Sequence, residues 1–215
     1  MRLQSAIFDM DGTLLDSMPT WRELGPTFLR EADIEATPEQ LHALRTMTDH
    51  EVIPYLREVC GLQKSPEEIM NEIIRRMEDF YSTQVRPKPG LEKFLSILKM
   101  ESVWLYAVTA LDRAEAQALL RSAGIEGDFR GLLTEREAGC AVCSGTMLEK
   151  AMRRLRSQKA DTVVFTGTLA LVESAKAAGF RAVAVGGAAG EDEWRQMCAL
   201  ADYELPHYED WLRLE

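Results

Sequence analysis

The sequence predicts an α/β protein in which a doubly wound parallel sheet is interrupted by an inserted α-helical domain. From about residue 87 onward, short apolar runs alternate with segments of helical periodicity, and such alternation favours a parallel sheet covered by helices on both faces. An earlier apolar run, at residues 6–8, is followed by a long stretch in which only helical patterns recur. We therefore expect a core formed by residues 1–14 and 87–215 and a helical domain formed by residues 15–86.

The first expected strand leads directly into the string DMDGTLLDS at residues 9–17. Side chains two residues apart in an extended chain point to the same side, so Asp9 and Asp11 would face one direction. Gly12 permits a sharp turn and lets a bound group approach the backbone. Asp-x-Asp-Gly is also an ordinary turn after a buried strand. The tetrapeptide alone therefore leaves a catalytic and a structural interpretation open.

Residues 15–86 carry clear helix start signals. Thr37-Pro38 and Ser65-Pro66 each combine a hydroxyl cap, a proline in the first helical position and Gln or Glu three residues after the cap. A helix near residues 21–32 is expected to bend or restart at Gly25-Pro26, where the hydrogen-bond ladder loses a donor, and another is expected near residues 51–60. The helix after Ser65 is expected to bury one apolar stripe. That stripe consists of Ile69, Met70, Ile73, Ile74, Met77, Phe80 and Tyr81.

The rest of the chain alternates between strands and helices. Four further strands are expected, at residues 103–108, 129–133, 162–165 and 181–185. The helices between them are expected near residues 91–100, 113–123, 147–155 and 170–178. Sheets of this kind bind ligands beyond the carboxyl ends of their strands. Asp9 and Asp11 follow the first strand and would lie at that edge.

Composition narrows the range of partners. The 215 residues are 46% hydrophobic, enough for a substantial core, and the formal net charge of −10 disfavours nucleic acid and anionic membrane surfaces. No basic and apolar leader precedes the first strand and no apolar run is long enough to cross a bilayer, so a cytoplasmic location is expected. Four scattered cysteines agree with a reducing compartment.

Residues 6–17 resemble the first signature of the haloacid dehalogenase-like hydrolases, a superfamily dominated by magnesium-dependent phosphatases. The resemblance implies a Rossmann-like core with a helical cap. It also implies that Asp9 attacks a phosphoryl group to form an aspartyl-phosphate, that Asp11 serves as general acid and then as base, and that Asp9 and the Asp11 carbonyl hold Mg²⁺. The second signature ends a strand with Ser or Thr, and Thr109 occupies the matching place. The phosphate-binding groups implied in this way are the Thr109 hydroxyl, the Ala110 amide and the backbone at Gly12.

The later signatures of that superfamily are altered in this chain. Residues 139–145 (GCAVCSG) stand where family members carry a lysine, and the nearest basic candidates are Lys150 and Arg136. The fourth signature would place magnesium-binding aspartates at the positions of Gly167 and Leu171, with Thr166 in the place of a glycine. The acidic residues considered as stand-ins are Glu173, Glu191 and Asp192. Cys140-x-x-Cys143 also fits a redox or metal motif, although a single pair is weak support for either.

Two functions from different classes remain open on the sequence. The first is hydrolysis of a small phosphorylated metabolite through Asp9 and Asp11, with Mg²⁺ held weakly and activity impaired by the missing lysine and acids. The second is binding of an anionic ligand or a protein partner without turnover. Dehalogenase and mutase activities are further alternatives. The substrate and the oligomeric state, monomer or dimer, are left open by the sequence.

Overall fold

The computed structural model describes residues 3–47 and 49–213, which fold into two compact units. The core unit has the bounds Met1–Asp16 and Arg86–Glu215, and the helical unit has the bounds Ser17–Val85. The chain leaves and re-enters the core unit at neighbouring points, because the Asp16 amide donates to the Arg86 carbonyl at 2.9 Å.

The core unit contains a six-stranded sheet in the order β3-β2-β1-β4-β5-β6, and every neighbouring pair is parallel. The strands are β1 (Ser5–Asp9), β2 (Trp104–Thr109), β3 (Phe129–Thr134), β4 (Thr162–Thr166), β5 (Arg181–Val185) and β6 (Tyr203–Leu205). The order runs outward from β1 in one direction through β2 and β3 and in the other through β4, β5 and β6. The reversal therefore lies between β1 and β4, where doubly wound sheets bind their ligands. The predicted fold class, a Rossmann-like doubly wound parallel sheet with inserted helices, is confirmed.

Strand β1 is completely enclosed. All five of its residues are buried, and Phe8 pairs with Ala107 of β2 on one side and with Phe165 of β4 on the other. The Phe8 and Phe165 rings stack with their centroids 4.6 Å apart. Because both faces of the sheet are covered, its central strands are almost uniformly apolar until their last residues.

In the part of the helical unit that the structure describes, residues 17–47 and 49–85, there are four helices: α1 (Met18–Glu31), α2 (Pro38–Thr46), α3 (Asp49–Glu58) and α4 (Pro66–Thr83). The two predicted start signals are confirmed as complete capping boxes. Thr37 accepts from the Gln40 amide, Ser65 accepts from the Glu68 amide, and each of the two long side chains accepts from the amide of its capping residue in return.

Of the bend or restart expected at Gly25-Pro26, the restart does not occur, and the buried stripe expected in α4 is too wide. Helix α1 is uninterrupted through Pro26, which shows that the loss of one donor does not end this helix. Gly25 serves close packing, since a Cβ there would lie 2.9 Å from the Leu44 side chain. In α4, Met70 and Ile74 are exposed by 38% and 48%, so the buried stripe is narrower than the apolar periodicity indicates.

The core unit adds helices α5 (Leu91–Met100), α6 (Arg113–Ser122), α7 (Glu135–Ala138), α8 (Gly145–Leu155), α9 (Leu169–Ala177) and α10 (Glu191–Leu200). The sequence did not predict α10 or β6, which lie after the last expected strand. Strand β6 has only three residues, two of them exposed, so it carries no apolar run. Within residues 3–47 and 49–213, no helix is long and apolar enough to cross a membrane.

Candidate active site

Asp9 is the last residue of β1 and lies at the switch point of the sheet, where it is 6% exposed. The loop that follows is tight because the amides of Thr13, Leu14 and Leu15 all converge on the Met10 carbonyl, at 2.9 to 3.3 Å. Met10 itself is buried and Asp11 is half-buried. The buried, apolar Met10 therefore lies between the two acidic residues, Asp9 and Asp11.

Gly12 and Gly167 form the closest backbone contact of this site. Gly12 has φ +69°, a left-handed conformation that favours glycine. Its carbonyl oxygen lies only 2.4 Å from the position that a Cβ on Gly167 would occupy. The Gly167 amide in turn donates to the Thr13 hydroxyl at 2.8 Å. The loops after β1 and β4 are thus joined directly, and a side chain at position 167 would collide with the first loop.

Burial and the neighbouring Asp11 carboxylate raise the pKa of Asp9 to about 8. Hydrogen bonds from the Met10 amide and from the hydroxyls of Thr166 and Thr13 oppose the rise. The Thr166 hydroxyl donates to Asp9 Oδ2 at 3.4 Å and shares a 3.1 Å hydrogen bond with Thr168. The groups that act on Asp9 are therefore a second acid and neutral donors. Asp11 is therefore near enough for its charge to raise the pKa of Asp9.

Thr109 ends β2, the strand beside β1. In the register Asp9 lies opposite Val108, so Thr109 is one residue beyond Asp9 towards the same rim. It is 1% exposed, and its hydroxyl accepts from the Leu111 amide at 3.1 Å. Ala110 follows on the exposed side of this turn. The predicted phosphate-binding positions Gly12, Thr109 and Ala110 thus lie in the loops that follow β1 and β2, next to each other in the sheet.

The loop at 139–145 brings a thiol, not an ammonium, towards Asp9. Burial, followed by the Asp9 charge, raises the pKa of the Cys143 thiol to about 11, while a hydrogen bond with Thr168 opposes the rise. The Cys143 carbonyl accepts from the Ser174 hydroxyl at 2.8 Å, which anchors this part of the loop. A thiol that stays neutral at physiological pH is a poor metal ligand and a poor nucleophile. All four cysteines are free.

The basic candidates for the missing lysine are engaged elsewhere. The Lys150 ammonium donates to the carbonyl of Ala138, the last residue of α7. Arg136 is exposed and lies 3.8 Å from Asp112. Neither is among the groups that act on the pKa of Asp9. The contacts of Lys150 with Ala138 and of Arg136 with Asp112 thus direct both side chains to groups other than Asp9.

The two positions at which the superfamily would place metal-binding aspartates, 167 and 171, carry residues that cannot bind a metal through their side chains. Leu171 is fully buried in the hydrophobic core, and Gly167 abuts Gly12. Over residues 3–47 and 49–213, no group of three or more His, Cys, Asp or Glu residues could hold a metal ion. Mg²⁺ often binds through one or two carboxylates together with substrate phosphate oxygens. Asp9 and Asp11 suit an ion that arrives with a phosphate ligand and do not form a complete protein site.

Sequence reasoning assigned no role to three side chains that shape this site. Thr166 donates to Asp9 and shares a hydrogen bond with Thr168. Tyr208 supports the loop after β1 by donating to the Thr13 carbonyl at 3.1 Å. Burial, with the Asp9 charge, raises the pKa of Tyr208, which therefore stays neutral. The Asp-Gly-Thr string pointed to Thr13, but no sequence pattern linked Tyr208 to a loop 195 residues earlier.

Comparisons with known proteins agree with this geometry. A family model described as haloacid dehalogenase-like hydrolase matches residues 6–185. A curated relative, the phosphorylated carbohydrates phosphatase of Thermotoga maritima, is 25% identical over 184 residues, covering 84% of each chain.

Solved structures show the same fold at lower identity. A haloacid dehalogenase-like protein of unknown function from Agrobacterium tumefaciens superposes with a TM-score of 0.84 at 16% identity, covering 99% of this chain and 97% of the other. A hydrolase from Deinococcus radiodurans, solved with bound phosphate and sodium, superposes with a TM-score of 0.79 at 16% identity, covering 98% and 93%.

Proposed function

We propose a phosphatase function for this chain, which belongs to the haloacid dehalogenase-like hydrolase family. The proposed reaction is hydrolysis of a small phosphorylated metabolite at Asp9. The observation that carries the proposal is the position of Asp9, which is buried at the carboxyl end of the central strand, at the switch point, with Asp11 beside it. A similar protein named as a phosphatase of phosphorylated carbohydrates supports the same reaction class.

The Asp9–Asp11 pair supplies both a nucleophile and a proton. With the pKa of Asp9 near 8, the pair holds about one proton at neutral pH. When that proton lies on Asp11, an Asp9 oxygen attacks phosphorus while Asp11 protonates the departing ester oxygen, giving an aspartyl-phosphate and an alcohol. Asp11 then removes a proton from water, which attacks phosphorus and releases phosphate from Asp9.

The other residues of the site position these groups. Thr13 and Thr166 orient the Asp9 carboxylate through their hydroxyls. The Thr109 hydroxyl and the Ala110 amide are proposed to bind phosphate oxygens at the end of β2. Mg²⁺ is proposed to bind weakly, through Asp9 and the Asp11 carbonyl, and would supply positive charge against the phosphate.

The helical unit is proposed to select the substrate. It is inserted between Asp16 and Arg86, so it begins at Ser17, six residues after the proposed acid, Asp11. Because the core unit supplies the reacting groups from its own strands, an insertion at this point is free to differ in shape without changing the chemistry.

A second candidate function is binding of an anionic ligand without turnover. The observation that favours it lies in the segment after β4, where Gly167 and Leu171 occupy the positions of the acids that would complete a metal site. Neutral hydroxyls and backbone amides still suit a bound anion. Both functions use the same rim of the sheet and differ in whether Asp9 reacts.

Turnover and its dependence on Asp9 test the proposal. The wild-type protein, Asp9→Asn and the matched control Asp33→Asn, at an exposed aspartate of the helical unit, are assayed on sugar phosphates and an aryl phosphate with Mg²⁺ or with EDTA. We expect kcat/KM to fall at least about 10³-fold in Asp9→Asn, because the nucleophile is lost, and to be unchanged in the control. Equal rates in wild type and Asp9→Asn would refute phosphatase activity and favour the binding function.

A further inference from the structure

The core unit contains a buried cation that the proposed chemistry does not use. Among the Asp, Glu, Lys, Arg and His side chains that the structure describes, Asp9 and Lys88 are the only buried ones. Burying an ammonium is costly, so a purely structural role is served better by an apolar side chain of similar length. The charge of Lys88 therefore calls for a functional explanation.

Lys88 is held at the same rim of the sheet as Asp9. Its amide donates to the Leu14 carbonyl at 2.9 Å, which ties it to the loop after β1. Its ammonium donates to the Gly186 carbonyl at 2.5 Å, one residue beyond the end of β5. Strands β1 and β5 are separated only by β4, so Asp9 and the Gly186 end of β5 lie about 10 Å apart.

Lys88 is among the residues that line a cavity of about 260 Å³ in the core unit, and Gly186, whose carbonyl accepts from its ammonium, lines the same cavity. The lining also includes Gly187 and two exposed polar residues, His207 and Asp16. A lysine and an imidazole suit an anionic group, and a carboxylate accepts hydrogen bonds from hydroxyl groups. The cavity therefore combines groups for recognising an acid and an alcohol.

We propose that this cavity is a second anion subsite, in which Lys88 binds an acidic group of the substrate that is not transferred and Asp16 accepts a hydrogen bond from a substrate hydroxyl. The proposal rests on the proposed function for the position of the reacting phosphate at Asp9. It specifies the substrate class as phosphorylated polyols that carry a carboxylate or a second phosphate about three to six bonds from the reacting phosphate, given the separation of β1 and β5. Lys88 is then a specificity-determining residue and Asp9 the reacting one.

Matched pairs of ligands isolate the contribution of the acidic group. Binding of 3-phosphoglycerate is compared with glycerol 3-phosphate, and 6-phosphogluconate with glucitol 6-phosphate, by calorimetry in the Asp9→Asn background, which cannot form an aspartyl-phosphate. In one pair or the other, we expect the acid to bind at least about tenfold more tightly than its neutral partner. A bisphosphate of the same polyol tests whether a second phosphate replaces the carboxylate.

Three variants assign that preference to the cavity. Lys88→Met should reduce the ratio of the two dissociation constants to about two or less, because it keeps the side-chain length and removes the charge. Lys93→Met, at an exposed lysine of the same unit, should leave the ratio unchanged. Asp16→Asn removes a negative charge from an exposed position and should increase the ratio about two- to threefold, so the subsite remains testable if Lys88→Met does not fold.

The outcomes separate this inference from the proposed function. If turnover depends on Asp9 but neither acid is preferred, or the preference survives Lys88→Met, the subsite is refuted and the phosphatase remains. If turnover is absent but the preference collapses in Lys88→Met, the phosphatase is refuted and the subsite remains. An unchanged ratio in Asp16→Asn counts against the cavity as its location.

Discussion

The loops after β1 and β4 flank the same switch point but have opposite character. The β1 loop carries two carboxyl groups, Asp9 and Asp11, whereas the β4 loop presents only hydroxyls and a glycine against them. The two loops nevertheless fit tightly, through the contact of Gly167 with Gly12 and Thr13. The backbone that positions a catalytic rim can therefore be retained while the charge on one side of it is removed.

This asymmetry explains why Asp9 holds its proton so strongly. Burial and a second acid raise the pKa of this carboxyl group, and the groups that oppose the rise are the Met10 amide and the hydroxyls of Thr166 and Thr13, which carry no charge. In an arrangement with charge on both loops, the same carboxyl group would be ionised at neutral pH. Removing the charge of Asp9 itself is therefore expected to have the largest effect.

We expect Asp9→Asn to be more stable than the wild-type protein at alkaline pH. In the wild type the folded-state pKa of Asp9 is raised from 3.8 to about 8, so between these values the folded chain retains a proton that the unfolded chain releases. Stability from this group is complete below about pH 4 and is lost as pH rises to about 8. The asparagine variant has no such loss. Its advantage should be small near pH 5 and reach several kcal/mol, on the order of 1.4 kcal/mol per pH unit, at pH 9.

Urea denaturation at pH 5, 7 and 9 measures this difference. Asp33→Asn is the matched control, since its exposed carboxylate is not buried by folding and its stability curve should follow that of the wild type. Parallel pH dependence of the wild type and Asp9→Asn would show that Asp9 is ionised throughout this range and that its burial has been compensated.

The second prediction tests whether the β4 loop lacks only charge or also lacks space for a side chain at position 167. Gly167→Ala should lower the free energy of unfolding by about 2–4 kcal/mol, because its Cβ would lie 2.4 Å from the Gly12 carbonyl oxygen. Gly127→Ala is the control, as no atom lies within 4 Å of its Cβ position. Chemical denaturation of both variants at one pH gives the comparison.

Gly167→Asp extends the same test to function. If the loop is closed, restoring an acid at this position should destabilise the protein at least as much as alanine and should not create Mg²⁺ affinity measurable by calorimetry. A stable Gly167→Asp variant that binds Mg²⁺ would show instead that only the side chain had been lost from an otherwise intact site.

The parts of the fold that were predicted are those with strong local patterns. The apolar runs of β1 to β5 and the capping boxes of α2 and α4 depend on near neighbours in sequence, and they appear as expected. Strand β6 has only three residues, and its pairing with β5 depends on distant contacts that leave no periodicity. The uninterrupted α1 likewise forms with Gly25 packed against Leu44, although Gly-Pro locally favours a break.

In the candidate site, too, the residues that could be predicted are those that lie close together in the sequence. Asp9, Asp11 and Gly12 form one contiguous string, so sequence alone could indicate them. Of the groups that act on the pKa of Asp9, Thr166 lies 157 positions later in the chain and acts through a hydroxyl, a group that is common in any loop. The burial of Lys88 could not be predicted from the sequence, because it depends on a contact with Gly186, 98 residues later in the chain.

The third prediction restores charge on the neutral side of the rim at Cys143. Because this side chain is close enough for the Asp9 charge to affect its pKa, an ammonium in its place should favour the ionised form of Asp9. We expect Cys143→Lys to lower the pKa of Asp9 by at least about one pH unit, the usual effect of an adjacent opposite charge. The loss of stability that the wild type shows as pH rises towards 8 should then end at a lower pH. Cys143→Met is the control, with an apolar side chain of similar reach. If both variants keep the wild-type pH dependence, the lysine does not reach Asp9, and the missing charge of this rim cannot be replaced from the 139–145 loop.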